Sequence, residues 1–141
     1  MLKRNTKLIA LVLCFVMLLS VIALAVYEPF KVKLNLYERV VVMSLLPKEG
    51  NFITLKIIRD LQMELAPSEE EAKIAGLEDL PTGGIKANNW FLVVEKEIVF
   101  GDIAKGLIVD ALKKLDETEK LTNDHFTVYE KFMMIPKKVG D

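Results

Sequence analysis

Two apolar stretches decide the fold: Leu36-Tyr37-Glu38-Arg39-Val40-Val41-Val42-Met43-Ser44-Leu45-Leu46, and, after Pro47-Lys48-Glu49-Gly50-Asn51, Phe52-Ile53-Thr54-Leu55-Lys56-Ile57-Ile58-Arg59-Asp60-Leu61-Gln62-Met63-Glu64-Leu65. Leu36, Val40, Val41, Met43, Leu45 and Leu46 predict a helix from about Tyr37 to Leu46, closed by a turn that carries Pro47 and Gly50. In the second stretch Ile53, Ile57, Ile58, Leu61 and Leu65 recur at helical spacing while Lys56, Arg59, Asp60 and Glu64 take the other side, so one stripe is expected to be buried. Two antiparallel helices joined by a short turn follow from that pattern.

Downstream, Pro67-Ser68-Glu69-Glu70-Glu71 is a helix start, because the Ser68 hydroxyl can accept from the amide of residue 71 while Glu71 reaches back to the amide of Ser68. A short third helix to about Ala75 is expected, stopped by Gly76. Residues 77–88, with Pro81, Gly83, Gly84 and Asn88, read as a loop. Trp90 to Val94 and Ile98 to Phe100 are rich in β-branched and aromatic residues, and Glu95-Lys96-Glu97 between them predicts a two-stranded β-hairpin. Asp102 is the expected N-cap of a helix over 103–116, with Ile103, Leu107, Ile108, Ala111, Leu112 and Leu115 as its apolar stripe. Thr122 caps an expected last helix with Phe126, Tyr129, Phe132 and Met133 facing inward, ended by Pro136.

Upstream lies a different kind of sequence. Leu8 to Tyr27 contains no charged residue, Gly or Pro, and its 20 residues would span roughly 30 Å as a helix, the hydrocarbon thickness of a bilayer. This predicts a single-pass membrane protein, anchored in the lipid bilayer through Leu8 to Tyr27. Lys3, Arg4 and Lys7 precede the run, which places residues 28–141 on the extracytoplasmic side; cleavage after Ala23-Leu24-Ala25 and secretion is the alternative. Glu28-Pro29-Phe30 breaks the run. The expected division is therefore 1–30, a basic tail and transmembrane anchor or signal peptide, and 31–141, a small α-rich domain. The expected fold class is mainly α: the N-terminal transmembrane helix, then a helical domain with a β-hairpin.

The chain has 141 residues and a net charge of -1. Because residues 1–30 hold Lys3, Arg4, Lys7 and Glu28, the remainder carries a net charge of -3. So acidic a domain supplies no counterion-release energy on a polyanion, and no nucleic acid is expected as partner. The order helix, helix, short helix, hairpin resembles the outline of a winged-helix DNA binder, yet its reading helix would present Glu69, Glu70 and Glu71 to phosphates. One cysteine, Cys14, excludes an internal disulfide framework.

Catalytic chemistry finds few candidates. His125 is the lone histidine, so no histidine metal pair can form within one chain, and no Ser-His-Asp triad is expected around it. Glu69, Glu70 and Glu71 read as favourable charge at a helix N-terminus. Glu95 and Glu97 share one face of an extended segment, the minimum for paired acid-base carboxylates, and with a carboxylate of the Ser68 helix they make a small metal-dependent enzyme the alternative reading. Gly83-Gly84 lacks any phosphate-loop context. Trp90, Phe91 and Phe100 are either core or a partner-binding patch.

Tyr37-Glu38-Arg39-Val40-Val41, Leu46-Pro47-Lys48-Glu49-Gly50-Asn51-Phe52-Ile53-Thr54-Leu55-Lys56, the Ser68-Glu69-Glu70-Glu71 start, and Leu121-Thr122-Asn123-Asp124-His125 followed by Tyr129-Glu130-Lys131-Phe132 resemble a family of short uncharacterised phage and prophage proteins whose members begin near the position of Lys31. The resemblance covers residues 31–134 and implies no catalytic residue and no cofactor. The expected function is non-enzymatic: a membrane-tethered helical module that binds an unknown protein partner.

Overall fold

The structure, a computed structural model, describes residues 28–134. In chain order these form β1 (Phe30–Leu34), α1 (Leu36–Leu45), α2 (Phe52–Leu65), α3 (Glu69–Ala75), β2 (Leu77–Asp79), β3 (Ile85–Ala87), a 3₁₀ turn (Trp90–Leu92), β4 (Lys96–Phe100), α4 (Asp102–Glu117) and α5 (Asn123–Met133). β1 pairs antiparallel with β4, Phe30 opposite Phe100 and Leu34 opposite Lys96, and β2 pairs antiparallel with β3.

Among the described residues, five helices and two small antiparallel sheets make a small α/β domain, not a mainly α one. Trp90 to Val94 does not pair with Ile98 to Phe100. Its first three residues, Trp90–Leu92, fold as a 3₁₀ turn, while β4 takes its partner, β1, from near the start of the described residues. The physical reason lies in Phe30-Lys31-Val32-Lys33-Leu34 and Lys96-Glu97-Ile98-Val99-Phe100. Each alternates, so that Val32, Leu34, Ile98 and Phe100 are buried on one face and Lys31, Lys33, Glu97 and Val99 are exposed on the other. That match of two half-buried strands outweighs the local Glu95-Lys96-Glu97 connection, which has no glycine or asparagine to turn it.

Among the described residues no helix is long and apolar enough to cross a bilayer. The apolar run Leu8 to Tyr27 lies outside those residues. The described residues thus do not support the expected transmembrane anchor, single-pass topology or extracytoplasmic placement of the domain.

The stretch expected to be a loop, 77–88, holds the β2–β3 hairpin. Gly83 and Gly84 turn it with φ of 82° and 104°, a region open to glycine, and the turn closes through Gly83 N–H to Leu80 O and Leu80 N–H to Gly84 O. Gly76 ends α3 in the left-handed region at φ 61°, its amide donating to Ala72 O and Lys73 O.

The helices pack on the buried face of the β1–β4 sheet. Leu34, Val42, Leu65, Ile98, Phe100, Ile108, Leu112 and Val128 are fully buried in one cluster. Phe132 meets Phe100 edge-on at 5.1 Å between ring centres, and Phe30 at 5.4 Å, which ties α5 to both strands. Of the expected α2 stripe, Ile58, Leu61 and Leu65 are buried, but Ile53 is exposed one turn before the helix reaches its neighbours. On α4, Ile108 and Leu112 are buried and Ile103 is exposed; the N-cap is Gly101, with Asp102 as the first helical residue. On α5, Phe126 is exposed and Val128 takes its place in the core. A second cluster joins Leu36, Ala75 and Val93, with Trp90, Leu77 and Ala87 packed around it.

Candidate functional site

The site grows from the start of α1. The Asn35 side chain accepts from the Glu38 amide at 2.9 Å, and the Glu38 carboxylate accepts from the Asn35 amide at 2.9 Å, a capping box that fixes both side chains. Glu38 is nearly fully buried and carries a second duty. Its Oε2 accepts from Lys131 Nζ of α5 at 2.7 Å, and Lys131 Nζ also donates to Lys33 O of β1 at 2.8 Å. Glu95 stands 3.5 Å from the same ammonium at the surface. One lysine thus ties β1, α1 and α5 at a single point.

The next residue of α1 repeats the device. Arg39 is completely buried and donates twice to Glu71, Nη2 to Oε1 at 2.6 Å and Nη1 to Oε2 at 3.2 Å. Glu71 is also the third residue of the Ser68 capping box, with its Oε2 accepting from the Ser68 amide at 2.9 Å. Burial pushes the Glu71 carboxyl up, but the Arg39 and Ser68 hydrogen bonds and the charges of Arg39 and Lys96 outweigh it and leave the group below its ordinary value. Both boxes therefore serve twice: they cap a helix and they neutralise a cation from another element.

Around this frame two grooves meet at Glu95. One, of about 510 Å³, is lined by Lys31, Val32 and Lys33 of β1, by Glu130, Lys131 and Met134, and by Glu95. The other, of about 440 Å³, is lined by Asn35, Tyr37, Trp90, Phe91, Val93 and Glu95. Tyr37 meets Trp90 edge-on at 5.4 Å, and its hydroxyl donates to Asp124, which raises the phenol above its ordinary value through that hydrogen bond, burial and the carboxylate charge.

Beside the second groove stands an apolar, exposed segment. Trp90 is half-buried and Val93 buried, whereas Phe91 is 79% exposed, Val94 84% exposed and Leu92 also exposed. The segment is firmly held. Asn88 and Asn89 donate their amides to Ala75 O, each at 3.1 Å, and the Leu92 amide donates to Asn89 O. A pinned turn that packs Trp90 against the second cluster, buries Val93 and presents Phe91, Leu92 and Val94 outward is a preorganised apolar surface. No family model, curated protein or solved structure matches the chain.

The sequence candidates are dispersed. Glu95 faces Lys131, Glu97 lies on the open sheet face opposite Lys33, and Glu71 is taken by Arg39. Among the described residues no group of three His, Cys, Asp or Glu side chains could hold a metal ion. The structure does not bring Glu95, Glu97 and the Ser68-helix carboxylates together as the enzymatic reading required. His125 accepts the Thr122 amide at Nδ1, 3.1 Å, and so completes the cap of α5. Trp90, Phe91 and Phe100 part company: Phe100 is core, Trp90 is half-buried, and Phe91 is on the surface. Sequence reasoning missed Glu38, Arg39 and Lys131. The one available signal was the pair of charged residues inside the apolar run of α1.

Proposed function

We propose that this domain is a non-enzymatic protein-interaction module whose binding face is the Phe91-Leu92-Val93-Val94 ridge and the groove beside it. One observation carries the reading: three large apolar side chains stand outward on a turn held in place by Trp90 and Val93, where exposure has no benefit for stability. Burying Phe91 in a partner's pocket would release its apolar surface from water at small ordering cost, because the turn is already fixed. The groove of Asn35, Tyr37, Trp90 and Glu95 supplies aromatic walls with two polar groups, the composition of an interface centre with its polar rim. The resemblance to phage and prophage proteins names no partner, so the reading rests on the surface alone.

Affinity purification from the protein's own cells, comparing the natural chain with Phe91→Ser/Val94→Ser, tests it. Both positions are exposed, so circular dichroism and the thermal midpoint should be unchanged while a specific co-purifying protein is lost. An identical set of co-purifying proteins from the two chains overturns the proposal.

A further inference from the structure

The groove of about 440 Å³ beside the ridge has an electrostatic character that the ridge lacks. Its wall is Asn35, Tyr37, Trp90, Phe91, Val93 and Glu95: three aromatics, one carboxylate and, among the described residues, no lysine or arginine. Tyr37 and Trp90 stand 5.4 Å apart with 77° between their ring planes, so the two rings bound a corner. The Tyr37 hydroxyl donates to Asp124, and a phenol held by a carboxylate has a more electron-rich ring. The charged groups that stand on the wall or bond to it are Glu95, Asp124, Glu38 and Lys131. Three carboxylates thus meet one ammonium, and that ammonium is held at 2.7 Å by Glu38 and at 2.8 Å by Lys33 O, against 3.5 Å from Glu95. Glu95 is half exposed and, among the described residues, has no closer partner. Electron-rich rings beside a carboxylate are complementary to a flat cation.

We infer that the groove takes an arginine side chain of a partner protein, its guanidinium stacked in the Tyr37–Trp90 corner and donating to Glu95. This rests on the reading of the domain as an interaction module and names the anchor of its partner. Arginine fits better than lysine, because its planar fork stacks on an aromatic ring while two N–H groups reach one carboxylate, whereas an ammonium is a strongly hydrated point charge. Apolar residues next to that arginine then cover Phe91 and Val94, which stand exposed beside the groove.

Trp90 is the one tryptophan of the chain, so intrinsic fluorescence reports the groove directly. Linear peptides from a displayed random library are selected against the full-length protein, and the enriched ones are titrated while Trp90 emission is followed. They should carry an arginine beside apolar positions and shift the emission to saturation. Replacing that arginine with citrulline, which keeps the shape and removes the charge, should weaken binding by about tenfold or more, and Glu95→Gln in the protein should do the same with an unchanged circular dichroism spectrum. Absence of enrichment, selected peptides without arginine, or peptides that bind equally well as their citrulline or lysine forms overturn the inference. If such peptides still lose affinity through Phe91→Ser/Val94→Ser, the ridge stands as a binding face without the arginine anchor; peptides indifferent to that pair and to Glu95→Gln count against both. A Trp90 response to choline equal to that to the peptide would assign the corner to a quaternary ammonium. A dimer of the natural chain abolished by Arg59→Lys, at the one exposed arginine among the described residues, would seat a second copy there. Either result overturns the partner's arginine.

Discussion

Removing Glu71 and removing Arg39 should have very different costs, although the two side chains form one ion pair. Arg39 is fully buried, and its Nε already lacks a hydrogen-bond partner, so its charge depends on the two bonds to Glu71. Glu71→Ala strands that charge inside the domain, a loss of about 3 to 5 kcal/mol, and it also deletes the side-chain bond to the Ser68 amide. Arg39→Met leaves a different remainder. The Glu71 side chain is 22% exposed and keeps the Ser68 amide, so water and the cap can satisfy it while Met fills the space of the arginine stem. The expected cost of Arg39→Met is about 1.5 kcal/mol or less, and the double variant should resemble it rather than the sum. Against a total of about 5 to 15 kcal/mol for a domain, the single Glu71→Ala change should be plainly visible. Urea unfolding of the natural chain, both single variants and the double variant closes the cycle. An Arg39→Met cost equal to or above that of Glu71→Ala would refute the reasoning.

Leu112→Ala, at a fully buried position in the main cluster, should destabilise by about 2 to 5 kcal/mol in the same assay; a loss below about 1 kcal/mol would show that α4 does not close the core. Gly76→Ala should cost roughly 1 to 2 kcal/mol, because the position sits at φ 61° with Asn88 beside it, and no loss would mean that α3 ends differently. The Glu71 carboxyl lies below its ordinary value of 4.5, so its contribution is full above that value and is lost as pH falls through the lowered one. The stability gap between the natural chain and Glu71→Gln should therefore be wide at pH 7 and shrink toward pH 3. A gap of constant width would contradict the sign.

Helices were legible from an apolar stripe, as for α2, or from a capping box, as for α3. α2 and α3 run over the stretches expected from the Ile57-Ile58-Leu61-Leu65 stripe and the Ser68–Glu71 box; the cap that Asn51 gives α2 was not among the expectations. Sheet pairing was not legible, for a physical reason. β1 and β4 are joined by more than sixty residues, and only the shared alternation of Phe30-Lys31-Val32-Lys33-Leu34 and Lys96-Glu97-Ile98-Val99-Phe100 announces the match. The proximity of Trp90 to Val94 suggested a hairpin with a local partner, but those residues needed Leu36 and Ala75, not a strand. Which aromatic would be exposed was equally hidden. Trp90 and Phe91 are adjacent in sequence, and the 3₁₀ turn sends one toward Tyr37 and the other into water. The buried ions escaped notice because a capping box can be read from spacing, whereas a cation arriving from another element cannot.

The claim that the ridge is a binding face is tested most directly by a photoreactive phenylalanine analogue placed at position 91 in the full-length protein within its own cells. A control carries the analogue at Lys113, an exposed position of α4 far along the chain from the ridge. The account predicts a discrete crosslinked band from position 91, absent from position 113 and suppressed by Val94→Ser. Equal, diffuse crosslinking from the two positions would contradict it.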